Sequence, residues 1–275
     1  MEQTLRAAAT DVEPMLVVSD LQFAYGGSRA LDGCSLDIAR DGVTGLIGPN
    51  GAGKSTLLEV LSGALRPQGG EMTFNGSVVR TFSPAAMSRL GIARTFQISR
   101  VHGRLPVLEN VLVGAANQSG ERPFRAVFAP RLWRNEEATL RDEATDLLRW
   151  VGLEKYVEQP AGVLSGGQRR LLEIARALMA HPKMLLLDEP TAGVFPETSR
   201  MIGDRICEVA ARGTTVLVIA HNMGFLSAVA DDVVVMGQGR VIVRGDLDAV
   251  RADPRVVSAY LGGPTALGAA HGVAE

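Results

Sequence analysis

Nine consecutive residues, Gly48-Pro49-Asn50-Gly51-Ala52-Gly53-Lys54-Ser55-Thr56, place glycines, a lysine and hydroxyls at the G-x-x-x-x-G-K-S/T spacing. Glycines at 48, 51 and 53 let backbone N–H groups turn inward around phosphate oxygens, and the N-terminus of a following helix adds its dipole. Lys54 is long enough to reach the terminal phosphates of a nucleotide, and the Ser55 hydroxyl stands where it can ligate Mg²⁺. A second run, Met184-Leu185-Leu186-Leu187-Asp188-Glu189, reads as a buried strand that ends in two carboxylates. With a phosphate loop upstream, Asp188 is expected to hold Mg²⁺ through its water shell and Glu189 to polarise an attacking water. Two acids that merely cap a strand at the surface are the competing reading, and it is the better one only if the loop is ignored.

Several elements must position these groups. Apolar runs at Val43–Ile47, Met184–Leu187 and Thr215–Ile219 are each followed by a loop and a helical pattern, which predicts a parallel α/β sheet. Alternation over Leu16–Tyr25 and Cys34–Ile38 predicts half-buried strands. Met72–Phe74 and Ser77–Val79 flank Asn75-Gly76, a type I′ hairpin signal, and Asp232–Met236 with Arg240–Arg244 form a second hairpin pattern around Gly237–Gly239. Strand signals vanish between about 98 and 165, where Glu136–Val151 is helical, with Leu140, Ala144, Leu147, Leu148 and Val151 on one face. A helical subdomain inserted into an α/β core is expected.

The 275 residues suffice for one large domain with a subdomain. Balanced charge, 28 Lys+Arg against 30 Asp+Glu, gives no polyanion footprint, so nucleic-acid binding is not expected. The two cysteines, Cys34 and Cys207, suit a reducing compartment as small apolar fillers. The first fourteen residues lack the apolar core of a signal peptide, and residues 1–14 and 263–275 are expected to be mobile ends. The uncharged window Gly213–Ala230 is broken by Thr214, Thr215, His221, Asn222 and Gly224, so a strand and helix are expected there rather than a membrane span.

Leu164-Ser165-Gly166-Gly167-Gln168 stands before a long helical run, Arg169–Ala180, and upstream of Asp188-Glu189. With this motif in this order the chain resembles the ATP-binding-cassette (ABC) family over about residues 16–262. The resemblance implies a P-loop NTPase core with an N-terminal antiparallel β element and an inserted α-helical subdomain. It implies ATP and Mg²⁺ as cofactors and an ATP hydrolase that drives a membrane transporter. It also implies that Ser165, Gly166, Gly167 and Gln168 of one cassette close on ATP held by another. By the same resemblance Tyr25 stacks on adenine, with Phe23 or a plain core role as the competing readings. Gln97 senses Mg²⁺ and the membrane partner, and His221 contacts the γ-phosphate. The implied partners are integral-membrane permeases, a second cassette, identical or paralogous, and indirectly a solute-binding protein. The implied location is the cytoplasmic face of the cell membrane.

Within the family, the wording Ala93-Arg94-Thr95-Phe96-Gln97, the long segment from Val111 to Glu136 and the ending Asp253–Gly262 resemble the ATPases of branched-chain amino-acid uptake. Lipid or lipopolysaccharide exporters, soluble non-transport ABC ATPases and an inactive regulatory cassette are the alternatives. The exporters usually carry Leu-Pro where this chain has Thr95-Phe96. The chain departs from the family at Phe195, where Asp or Asn is usual, and at Ala220 and Asn222, which flank the histidine in place of Glu and Asp. Glu121–Arg134 mixes basic and aromatic residues. It is expected to pack Phe124, Phe128 and Trp133 on the helical subdomain, with contact to lipid headgroups or a permease as the alternative.

Overall fold

The computed structural model describes residues 13–95, 101–115 and 130–261. Its strands are β1 (Leu16–Tyr25), β2 (Ser28–Ile38), β3 (Val43–Ile47), β4 (Gly69–Phe74), β5 (Ser77–Val78), β6 (Ile92–Arg94), β7 (Met184–Asp188), β8 (Thr215–Ile219), β9 (Asp232–Gly237) and β10 (Arg240–Gly245). Its helices are α1 (Lys54–Leu61), α2 (Pro84–Leu90), α3 (Val107–Leu112), α4 (Pro130–Trp150), α5 (Gly166–Leu178), α6 (Pro196–Ala211), α7 (Met223–Val229), α8 (Leu247–Ala252) and α9 (Pro254–Leu261).

Two sheets form. The antiparallel one runs β2-β1-β4-β5, and the second runs β10-β9-β3-β8-β7-β6. In the second sheet β9, β3, β8, β7 and β6 are parallel, while β10 joins β9 as an antiparallel edge. The period-2 geometry of a strand explains why the parallel strands read as continuous apolar runs, since each must bury both faces. Val43, Ile47, Leu185, Leu187, Val216, Val218, Val233 and Val235 face one apolar cluster with residues of α3, α4, α5 and α6. Leu46, Met184, Leu186, Leu217, Ile219, Val234 and Met236 face the other, with α1 and the antiparallel sheet. The central sheet is thus sandwiched between two cores.

The type I′ signal at Asn75-Gly76 is met, with φ of 49° and 75°. Other expectations need correction. The second strand begins at Ser28, six residues before the alternating stretch, because its first half crosses bulges against β1. The helix expected from Glu136 begins at Pro130. The second hairpin, in contrast, forms as expected, and it belongs to the central sheet, which it extends. β6, only three residues long, was not expected, since so short a strand has no readable period. Cys34 is a buried filler, and burial pushes its thiol up to about 12, but Cys207 is exposed. Residues 1–12 and 263–275 of the expected end segments and 121–129 of the aromatic–basic stretch lie outside the described residues, while the remainder of that stretch, Pro130 to Arg134, opens α4.

Between β6 and β7 no strand occurs among the described residues. There the fully buried Asn110 on α3 organises the chain that precedes it. Its Oδ1 accepts from His102 N–H at 2.8 Å, and its Nδ2 donates to the carbonyls of His102, Leu105 and Pro106 at 3.1, 3.3 and 3.0 Å. One side chain therefore ties together four backbone groups: it is the acceptor for the His102 N–H and a second donor to three carbonyls that also accept from the N–H groups of Leu105, Ala161 and Asn110. Asn110→Leu keeps the volume, leaves the His102 N–H without its acceptor and strips one donor from each of the three carbonyls. It is expected to lower unfolding free energy by about 3 kcal/mol, read from urea denaturation at unchanged slope.

Candidate functional site

The loop from Gly48 to Gly53 connects β3 to α1 and is seated on backbone from both sheets. A Cβ at Gly48 (φ 152°) would lie 2.2 Å from the Met236 carbonyl oxygen, and one at Gly53 (φ 99°) 2.4 Å from that of Ala30. Both glycines are therefore required by close approach to the protein's own chain as well as by the turn. Gly51 faces open space. The seat is completed by hydrogen bonds: Gly239 N–H donates to Ala52 O at 3.0 Å, and Asp32 N–H to Gly239 O at 3.1 Å.

The other charged groups arrive at the carboxyl ends of neighbouring strands. Ile219 of β8 pairs with Leu46 of β3 on one side and Asp188 of β7 on the other. Glu189 and His221 therefore follow strands that flank or adjoin the one feeding the loop. A cleft of about 390 Å³ results, lined by Ser28, Arg29, Ala30, Asn50 to Thr56, Glu189 and His221. Binding at the carboxyl edge of a parallel sheet is the general rule for such folds.

Each charged side chain at this site has a partner within the chain. Lys54 Nζ donates to Gly48 O at 2.7 Å and Pro49 O at 3.0 Å, so the ammonium folds back over its own loop. Burial pulls its pKa below the ordinary lysine value, opposed by the charges of Glu189 and Asp188. His221 Nε2 donates to Glu189 Oε1 at 2.7 Å. Glu189 sits at φ 48°, the left-handed region that a non-glycine residue enters at a cost, and its N–H is held by Ile219 O at 3.0 Å. Asp188 is only 3 % exposed and accepts from Arg94 Nη2 at 3.1 Å. Burial pushes its carboxyl up, with the Arg94 charge acting against it.

Tyr25 ends β1 and is 52 % exposed, with its ring edge-on to Phe23 at 4.9 Å and 73°. Its hydroxyl donates to Glu59 on α1 at 3.0 Å, which poses an exposed aromatic beside the phosphate-loop helix. Ser165 caps α5. Its Oγ accepts from Gln168 N–H at 3.3 Å and its N–H donates to Gln168 Oε1 at 2.9 Å, a reciprocal capping box. Gly167 packs so closely that a Cβ would meet Thr198 Cγ2 at 2.7 Å. None of Ser165, Gly166, Gly167 and Gln168 lines the phosphate-loop cleft of its own chain. Gln97 lies outside the described residues. Sequence reasoning missed Arg29, which enters the cleft and pairs with Asp32 at 2.6 Å, and Arg94. Arg29 lies four residues after Tyr25 with no motif around it, so nothing in the sequence marks it.

A hard cation prefers oxygen ligands and keeps much of its water, and Mg²⁺ in particular is held by few protein groups together with phosphates. The exposed Ser55 hydroxyl and the Asp188 carboxylate suit that pattern. No group of three or more His, Cys, Asp or Glu that could hold a metal occurs among the described residues. Likewise, none of the described helices is long and apolar enough to cross a membrane.

Comparison with known proteins agrees with this geometry. The ABC transporter family model matches residues 31–192, and a model for the branched-chain amino acid ATP-binding cassette transporter matches residues 240–266. The chain is 37 % identical to the probable branched-chain amino acid transport ATP-binding protein LivG of Methanocaldococcus jannaschii, over 92 % of this chain and 99 % of that protein. It is 34 % identical to the high-affinity branched-chain amino acid transport ATP-binding protein BraF of Pseudomonas aeruginosa, over 90 % and 98 %. A nucleotide-free ATP-binding cassette from an ABC transporter superposes with a TM-score of 0.80 at 36 % identity, covering 91 % of this chain and all of the other. An ADP-bound cassette superposes at 0.78, with 35 % identity over 92 % of this chain. The chain therefore belongs to the ABC transporter family, as an ATP-binding and ATP-hydrolysing subunit.

Proposed function

We propose that this subunit energises uptake of branched-chain amino acids or a similar small polar solute. In this reading residues 15–262 form the ATPase domain, with about 98–165 as its helical subdomain. It works at the cytoplasmic face of the cell membrane as a peripheral subunit on integral-membrane permeases, which a solute-binding protein supplies. The observation that carries the substrate class is the match of residues 240–266 to the branched-chain cassette family, because the phosphate loop and Asp188-Glu189 are common to cassettes of many substrates. Lys54→Ala in the chromosomal copy is expected to reduce cellular uptake of labelled leucine, isoleucine and valine to background. Uptake of all three at the parental rate would overturn the substrate class.

The side chains divide the work as follows. The N–H groups of Gly48 to Gly53 cradle phosphates, Tyr25 stacks on the base, and Thr56 stands behind Ser55 on the first turn of α1. Lys54 exchanges the carbonyls of Gly48 and Pro49 for phosphate oxygens, so nucleotide replaces contacts the lysine already makes. Ser55 and Asp188, with Gln97, would hold Mg²⁺, which offsets charge on the β and γ phosphates. Glu189 orients the attacking water once His221 turns from it toward the γ-phosphate. The resting Glu189–His221 bond supports this order, because a carboxylate engaged by a histidine is not free to orient water until that bond is exchanged. Glu189→Gln is expected to bind ATP and lose turnover by about 10²-fold or more. Lys54→Ala is expected to weaken ATP binding by about 2 kcal/mol, roughly thirtyfold. Separate measurements of nucleotide binding and phosphate release check both.

The signature residues stand outside their own cleft, and this favours a composite site in which Ser165 to Gln168 of one cassette close on ATP held by the second. Mixing Lys54→Ala with Ser165→Arg protomers leaves one composite site intact. Partial recovery of hydrolysis in mixed dimers is the expected outcome.

In this reading Phe195 packs apolar surface in the same seam. It is 83 % exposed and occupies the N-cap of α6 with no side-chain cap bond. Burial against the second cassette would contribute roughly 1.5–3 kcal/mol to closure. Phe195→Asp supplies the missing cap and removes that apolar surface. The monomer should gain about 1 kcal/mol while ATP-driven dimerisation weakens, and thermal melts with sedimentation in the Glu189→Gln background separate the two effects.

A further inference from the structure

Arg94 is the last residue of β6 and carries a side chain almost as buried as the acid it meets, 9 % against 4 % exposed. Its guanidinium joins two places at once: Nη2 donates to Asp188 Oδ2 at 3.1 Å, and Nη1 donates to Ser62 Oγ at 3.2 Å. Ser62 is the C-cap of α1, the helix that begins at Lys54 and Ser55, and Asp188 ends β7. The strand is fixed to the same neighbour by its backbone, since Arg94 pairs with Leu186 and Thr95 N–H donates to Leu186 O at 2.9 Å. Residue 97 follows two positions after that last bond.

We infer that Arg94 is a positioning residue of the metal–nucleotide site: it engages Asp188 on Oδ2, leaves Oδ1 for the water shell of a divalent cation, and locks the carboxylate to the helix that carries Ser55. A planar guanidinium suits this task because its fork presents donors in fixed directions to two acceptors, which an ammonium does not. A buried carboxylate without such a partner has rotamer freedom and no fixed direction in which to present an oxygen. Arg94 therefore acts on nucleotide only through the cation and leaves the phosphate contacts of Lys54 and the loop alone. The inference rests on the reading of Asp188 as the metal-facing acid.

Binding of the non-hydrolysable analogue AMPPNP is titrated over a range of Mg²⁺ concentrations, and in EDTA without metal, for wild type, Arg94→Met and Arg94→Lys. Arg94→Met is expected to raise the Mg²⁺ concentration for half-maximal tightening by about tenfold, within the usual range for coupled sites, while metal-free binding stays within about twofold. Arg94→Lys, which keeps the charge and loses the fork, is expected to fall between the two and carries the test if the methionine variant does not fold. An unchanged Mg²⁺ requirement in a folded variant overturns the inference, as does an equal loss with and without Mg²⁺, which marks a structural role only. A wild type whose binding does not tighten with Mg²⁺ overturns the reading of Asp188 itself, a result distinct from either.

Discussion

The site depends on one steric constraint: a loop of six residues must pass between two other backbones with no room for a side chain at either of its ends. Gly48 lies against the end of β9 and Gly53 against β2, so the phosphate loop is wedged between the central sheet and the antiparallel sheet. That wedge is what gives the antiparallel sheet a function. It carries Tyr25 and Arg29 at one end, and the carbonyl of Ala30 that Gly53 approaches, so shifting it would displace the loop together with the groups beside the nucleotide. Cores of close-packed apolar residues on both faces of the central sheet keep the two supports from yielding.

Around that rigid loop two of the charges are arranged as exchangeable pairs and a third is held fast. Lys54 rests on carbonyls, Glu189 on His221 and Asp188 on Arg94. Each partner satisfies a group that would otherwise be desolvated and unpaired, and leaving such a group alone is costly. In the function proposed above, nucleotide binding is then a trade of one partner for another at Lys54 and Glu189.

Much of this was legible from residue spacing, because the phosphate loop and the strand ending in Asp188-Glu189 are local patterns with local reasons. Val43–Ile47 and Thr215–Ile219 coincide with β3 and β8, since strands buried on both faces announce themselves as unbroken apolar runs. What was not legible is set by tertiary partners. Nothing in Ala93-Arg94-Thr95 says that this arginine meets an acid 94 positions later, and the three-residue β6 exists only because β7 is there to pair with it. The role of Asn110 as a clasp for His102 to Pro106 is invisible for the same reason. Cys207 was misread because a thiol on a helix carries no signal of which way the helix turns. Phe195, in contrast, stood out as an apolar residue where the family usually has Asp or Asn, and the structure leaves it exposed.

The order of strands in the central sheet also bears on how the chain is made. β3, which feeds the loop, pairs with β8 and β9 and with neither of the strands adjacent to it in sequence. During synthesis it has no hydrogen-bonding neighbour until residues 215 to 237 have emerged from the ribosome, and such long-range pairing forms late and slowly. The nascent chain thus exposes an unpaired apolar strand beside an unformed phosphate loop for most of its elongation. Nucleotide cannot assist that stage, because its cradle is built only after the strands encoded some 170 residues downstream are in place.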